Sequence, residues 1–268
     1  MINKINTFGS YLLNGKFTKL LAFSLALIFS FNVGAQDAAE APAVSGEVAY
    51  ILNTFLFLVC GFLVMFMAAG FCMLEAGQVR SKNTAVICLK NIGLFSIAGF
   101  MYYLVGYNLM YDGVDGGYIG SFSMFDRSSE VDLETGYAAA SDWYFQMVFV
   151  ATTASIVSGA LAERILIWPF FLFTAILTAF IYPIAGSWQW GGGWLSEMGF
   201  SDFAGSTLVH SVGGYAALAG AILLGARDGK YSADGKVNVI GGCSLPMTTL
   251  GVFILWLGWF GFNGGSQL

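Results

Sequence analysis

The chain has 268 residues, of which 57% are hydrophobic and only 10% are charged. Ordinary soluble domains carry about 25% charged residues, so this composition excludes a typical soluble protein and predicts an all-α, polytopic membrane protein. The net charge is −5 and the chain has no basic tract, which argues against a nucleic-acid partner. Because the four cysteines lack CxxC or other metal spacing, we expect no metal, no cofactor and no redox role.

The N-terminal 36 residues have the pattern of a secretory signal. Three lysines precede an apolar run from Leu20 to Val33, and small residues follow before the acidic segment begins. We therefore predict a cleaved signal peptide over 1–36, a periplasmic lead-in over 37–47 and a mature N-terminus outside the membrane. An uncleaved first anchor helix is the alternative.

Six further apolar segments are long enough to span a bilayer. They run from Val48 to Leu74, Ala85 to Tyr111, Trp143 to Ala162, Ile165 to Ala185, Phe203 to Gly225 and Leu245 to Phe262. Basic residues fall in the connections after the first, third and fifth segments, whereas the other connections are mainly acidic. This alternation agrees with the positive-inside rule for a chain whose N-terminus is outside.

The fifth segment carries the only histidine of the chain. If Asp202 opens this helix, His210 lies about 12 Å deeper at about 1.5 Å per residue, close to the middle of the bilayer. Ionisable residues at that depth usually face a bundle interior or a solute pathway. Two structural interpretations stay open: His210 as a core histidine bonded to a neighbouring helix, and Asp202 as a helix N-cap.

The topology also gathers aromatic and polar side chains at the outer ends of the third, fifth and sixth spans. Aromatic faces attract a small cation by about 0.5–2 kcal/mol each, and a hydroxyl or carboxylate can accept its protons. The residues are Phe145, Phe149, Phe262, Trp190, Asp202 and Ser266. Ordinary packing of phenylalanines and an interfacial tryptophan belt are the competing explanations. A Ser206–His210 hydrolase pair is disfavoured because rhomboid-type intramembrane proteases place the serine and histidine on different helices.

Five motifs give a more specific indication, and they occur in a defined order. They are AAGFCMLEAGQVRSKNTAVICLKN from Ala68, GALAERI from Gly159, WGGGWL from Trp190, DFAGSTLVHSVGGYAALAGAILLGAR from Asp202 and LGWFGFNGGS from Leu257. Together they resemble the ammonium transporter (Amt/Rh) family, and its bacterial Amt branch in particular. The resemblance extends from about Ala49 to the last residue.

The resemblance implies non-enzymatic ammonium transport by a homotrimer, with one pore in each eleven-helix subunit built from two inverted halves. Residues 48–268 would then form the first inverted repeat of five spans plus the sixth span. A cytoplasmic regulator of the P-II type is a further implied partner.

The family pattern also assigns roles to individual residues. Phe149, Trp190 and Ser266 match the outer ammonium recruitment site, with Phe145 beside it. Phe149 and Phe262 match the stacked phenylalanine gate, Asp202 matches the aspartate near the mouth, and His210 matches the first of two pore histidines.

The second pore histidine belongs to a half that the 268 residues do not contain. We therefore expect these residues to be the N-terminal portion of a transporter. The alternatives are an ammonium-sensing domain of a signalling protein and a truncated subunit that does not transport.

Overall fold

The computed structural model describes residues 44–127 and 131–268, and within these ranges the regular structure is helical apart from one isolated β-bridge. The long helices are α1 (Gly46–Gln78), α2 (Ser81–Tyr111), α3 (Ala139–Ala160), α4 (Ile167–Ser187), α5 (Ser206–Leu224) and α6 (Leu245–Gly265). A short helix, Trp194–Glu197, lies in the connection between α4 and α5. Each predicted span thus corresponds to one long helix.

The first helix begins slightly earlier than the sequence predicts. Ser45 is its N-cap and its Oγ accepts a hydrogen bond from the Val48 amide at 3.4 Å, as expected for a serine at this position. The last two residues of the predicted lead-in, 37–47, therefore belong to α1. The predicted signal peptide, 1–36, lies outside the described residues.

Helix α3 differs from the other five in its relation to the membrane. The other five are long and apolar enough to cross a bilayer, whereas α3 has 22 residues but is richer in polar side chains. Fourteen of its residues are buried, because α1, α2 and α5 pack around it. A helix that other helices shield from lipid can carry polar groups at lower cost, so α3 forms the centre of the bundle.

Helices α1 and α6 pack at unusually short range. A Cβ atom at Gly251 would lie 2.7 Å from the Gly70 carbonyl oxygen, and one at Gly258 would lie 2.8 Å from the Leu63 carbonyl oxygen. Small residues allow membrane helices to approach in this way. The glycines of α6 therefore fix it against α1, and this contact positions Phe262 beside α3.

Three of the long helices contain a π-helical turn. These turns are Tyr102–Gly106 in α2, Leu177–Ile181 in α4 and Ser206–Ser211 in α5. Single π turns inside helices frequently occur at functional sites. The turn in α5 contains His210, so the backbone around the only histidine departs from ideal α geometry.

Glu163 joins three connections at one end of the bundle. Its carboxylate accepts hydrogen bonds from the Arg80 amide and Nε, both at 3.0 Å, and from Asn83. The Arg227 guanidinium lies 3.3 Å from its other oxygen. Burial raises the pKa of Glu163, but the hydrogen bonds from Asn83 and Arg80 outweigh this effect and hold the pKa below its usual range.

Candidate functional site

At the other end of the bundle, a cavity of about 440 Å³ opens between α2, α3 and α6; we call it the aromatic cavity. The four residues predicted to form a recruitment site all line it: Phe145, Phe149, Trp190 and Ser266. They come from α3, the α4–α5 connection and the end of α6, so only the folded bundle brings them together.

One residue that lines the cavity, Phe149, stacks its ring on that of Phe262. The ring centroids of Phe149 and Phe262 are 3.9 Å apart with an interplanar angle of 20°, and each side chain is 1% exposed. Phe145 packs beside them, with its ring centroid 4.7 Å from that of Phe149. Rings stacked this closely leave no open passage, so a solute would pass only if they moved apart.

His210 lies next to Phe262, the second ring of this pair. Its ring is stacked on Trp259, with centroids 5.1 Å apart, and is 5.6 Å from the Phe262 ring. Its Nε2 atom is buried and has no hydrogen-bond partner among residues 44–127 and 131–268. Within the described residues, no neighbouring helix holds His210 by a hydrogen bond to this nitrogen. An unpartnered nitrogen suits a side chain that contacts a solute or water.

Asp202 serves as a cap in this structure. Its two carboxylate oxygens accept hydrogen bonds of 2.8–2.9 Å from the four successive backbone amides of residues 205–208. Gly205 makes this possible because it adopts φ +93°, a left-handed conformation that glycine adopts readily. Asp202 does not line the aromatic cavity, and its carboxylate shapes the start of α5.

Asp202 also ties the cavity wall to α5 through its backbone. The Trp190 indole Nε1 donates a hydrogen bond of 2.7 Å to the Asp202 carbonyl oxygen, which fixes the indole with its ring 6.0 Å from that of Phe149. The Ser266 hydroxyl donates to the Phe262 carbonyl oxygen at 2.8 Å. Since its only proton is used in this way, its lone pairs are free to accept a proton donor in the cavity.

The sequence-based prediction missed a group of polar residues that line the cavity. Asp142, Gln146, Tyr107 and Arg127 also line it. Asp142 is 7% exposed, and the Tyr107 hydroxyl donates a hydrogen bond to its Oδ2 atom. The predicted third span began at Trp143, so Asp142 was assigned to a connection. The sequence does carry a signal for this residue. Asp142 lies three residues before Phe145 and seven before Phe149, and positions with this spacing share a helix face.

The arrangement suits a small cation that donates hydrogen bonds. Aromatic faces, a hydroxyl oxygen and a carboxylate surround one space, and each attracts a cation or accepts its protons.

Comparison with known proteins agrees with this interpretation of the cavity. Residues 55–268 match the model of the Ammonium Transporter Family. A protein of Synechocystis sp., sll1017, whose name marks it as a candidate ammonium transporter, is 44% identical over 251 residues, which are 93% of this chain and 56% of that protein. The ammonium transporter Amt2 of Archaeoglobus fulgidus is 43% identical over 245 residues, which are 88% of this chain and 50% of that protein.

Solved structures agree at the level of the fold. A protein titled Sensor Amt Protein superimposes with a TM-score of 0.78 at 40% identity, and the match covers 83% of this chain and 56% of that one. The predicted fold class, an all-α transmembrane bundle with the first inverted repeat and sixth span of the eleven-helix ammonium transporter fold, is confirmed. The chain spans about half the length of the relatives it matches.

The family match covers more than three quarters of the chain and includes every helix that builds the aromatic cavity. This protein therefore belongs to the ammonium transporter family.

Proposed function

We propose that the complete protein moves ammonium across a membrane. The observation that supports this most strongly is the series of contacts that leads from the aromatic cavity through the Phe149–Phe262 pair to His210. The family of the chain points to the same solute.

The proposed mechanism begins with recruitment of ammonium in the aromatic cavity. The faces of Phe145, Phe149 and Trp190 attract the cation, and the Ser266 hydroxyl oxygen accepts one of its protons. A bare cation would lose too much hydration free energy in an apolar pore. The cation therefore releases a proton to water at the mouth, and this proton travels separately from the neutral ammonia, which passes between the phenylalanine rings to His210. Potassium has no proton to release and is rejected.

We further propose that the cavity faces outwards across a bacterial inner membrane, with the mature N-terminus outside. The basic residues of the connections support this orientation, because Arg80, Arg164 and Arg227 gather at the opposite end of the bundle. Positive charge in short connections favours the cytoplasmic side.

Assembly as a homotrimer and contact with a P-II type regulator are proposals that rest on the family. Exposed apolar side chains along α1 are available to lipid or to a neighbouring subunit; they include Ile51, Phe55, Phe62 and Phe66. The mass of the full-length protein in detergent would distinguish a trimer from a monomer.

The proposed recruitment site is tested by methylammonium uptake into cells that express the full-length protein. We expect Trp190→Leu to raise the half-saturating concentration about tenfold, since it removes the largest aromatic face of the cavity. Trp256→Leu is the matched control, because Trp256 is 63% exposed on α6 and lies outside the cavity. Equal kinetics in the wild type and Trp190→Leu would contradict the proposal.

A second candidate is ammonium sensing without substantial flux, which the resemblance to the Sensor Amt Protein favours. Both functions need the aromatic cavity, but only transport needs solute to pass His210. Saturable methylammonium binding by the purified protein, combined with no flux into proteoliposomes, would identify a sensor.

A further inference from the structure

We propose that Asp142 forms an additional cation subsite in the aromatic cavity, outward of the Phe145–Phe149–Trp190–Ser266 site. The proposal deepens the proposed function and rests on it. The subsite would take small monovalent ammonium-type cations, which bind there before they reach the aromatic site.

The helix geometry places Asp142 in line with the aromatic residues. It lies three residues before Phe145 and seven before Phe149 on α3, so all three share one face. At about 1.5 Å per residue, the carboxylate lies roughly 4.5 Å outward of Phe145 and roughly 10 Å outward of Phe149 along the axis. These spacings place the Asp142 subsite and the aromatic site one after the other along α3.

The environment of Asp142 is unusual for a carboxylate that only stabilises the fold. It is 7% exposed and lines an open cavity, whereas a nearly buried charge normally needs a close partner. The Tyr107 hydroxyl donates to Oδ2 and the Gln146 side chain lies beside the carboxylate, but a carboxylate can accept about four hydrogen bonds. Acceptor capacity is therefore left for a cation in the cavity.

A neighbouring positive charge acts on the carboxylate of Asp142. The Arg127 guanidinium carbon lies 5.5 Å from the centre of the Tyr107 ring, and both residues line the aromatic cavity. Arg127 would oppose the entry of a cation, and Asp142 would favour it. The balance between these two charges would set the affinity of the subsite.

The test measures equilibrium binding of radiolabelled methylammonium to the purified full-length protein at low ionic strength. We expect Asp142→Asn to weaken binding at least fivefold, and Asp142→Glu to stay within about twofold of the wild type because it keeps the charge. Asp132→Asn is the matched control: Asp132 lines the same cavity but is exposed, so water screens its charge and a change below twofold is expected. Binding by Asp142→Asn within twofold of the wild type would overturn the proposal.

Arg127→Gln gives an independent variant. It should tighten methylammonium binding two- to threefold. If Asp142→Asn fails to fold, Arg127→Gln becomes the test of the subsite, and unchanged binding by Arg127→Gln would overturn the subsite. Uptake measured on the same variants separates the two proposals. If the wild type shows no uptake but binds methylammonium in an Asp142-dependent way, the result contradicts the transport function and supports the subsite.

Discussion

The two ends of the bundle use buried carboxylates in opposite ways. At one end, Glu163 is enclosed by Arg80, Arg227 and Asn83, and its side chain is 1% exposed. At the other end, Asp142 lines a cavity of about 440 Å³ and contacts a tyrosine hydroxyl. A carboxylate whose acceptors are filled by the protein stabilises the fold, whereas one that borders open space is available to a ligand.

Asp202 shows that position alone does not separate these two classes. It lies at the cavity end, and the sequence alone leaves two roles open for it. Four backbone amides fill its oxygens, so by its contacts it belongs with Glu163. The mutations below test this division, from the largest expected effect to the smallest.

Replacing Asp202 should have the largest effect on stability. Asp202→Ala leaves four amides at the start of α5 without their acceptor, and hydrogen bonds to a charged group contribute about 1.5–3 kcal/mol each. Because Ser206 and Thr207 are exposed and water can replace part of the loss, we expect a decrease of about 4 kcal/mol in the free energy of unfolding. Thermal unfolding in detergent measures it. A variant as stable as the wild type would contradict the capping role of Asp202.

Glu163→Gln should destabilise the protein by about 3 kcal/mol at neutral pH, since breaking a buried ion pair costs about 3–5 kcal/mol and both arginines here retain some contact with water. The folded-state pKa of Glu163 is below its ordinary value of 4.5. Its contribution is therefore present above pH 4.5 and is lost as the pH falls through the lower folded value.

Unfolding measured between pH 7 and pH 3 checks this dependence. The difference between the wild type and Glu163→Gln should shrink below about pH 4.5. A difference that stays constant across this range would mean that the charge of Glu163 is not what stabilises the three connections.

The α1–α6 contact connects the two ends, and Gly251→Ala tests it. The added methyl would overlap the Gly70 carbonyl oxygen at 2.7 Å, and overpacking typically costs about 1–3 kcal/mol. We expect about 2 kcal/mol by thermal unfolding. Gly214→Ala on α5 is the control, because no atom lies within 4 Å of a Cβ there; an equal loss in both variants would show that close packing is not the cause.

Thr153→Val should have the smallest effect. The Thr153 hydroxyl donates to the Phe149 carbonyl oxygen at 3.2 Å and lies 3.4 Å from that of Val209, which links α3 to α5 beneath the aromatic cavity. Loss of one neutral hydrogen bond costs about 0.5–1.5 kcal/mol, so we expect about 1 kcal/mol. Thermal unfolding can detect this change, and a loss above 3 kcal/mol would indicate a larger role for this contact.

Much of the fold could be predicted from local pattern. Hydrophobic length and the distribution of basic residues placed the six helices, with ends a few residues from the observed ones. The topology and the family pattern together indicated Phe145, Phe149, Trp190 and Ser266, which the structure brings to one cavity. Their roles in recruitment remain predictions.

The features that were missed depend on contacts between distant segments. Asp202 accepts hydrogen bonds from four backbone amides at the start of the π turn that contains His210, and no pattern of apolar residues encodes these contacts. The contacts of Glu163 join residues about 80 positions apart in the chain. Asp142 was assigned to a connection because a charged residue normally marks the end of a span, although α3 is shielded from lipid by its neighbours.

The most direct test of the central claim is flux through His210. Proteoliposomes that contain the full-length protein would be challenged with ammonium or with potassium, and the wild type should give a saturable flux with ammonium only. We predict that His210→Ala loses this flux or its selectivity against potassium, while it still binds methylammonium in the aromatic cavity. Selective ammonium flux at the wild-type rate in His210→Ala would contradict the claim that the solute passes this histidine.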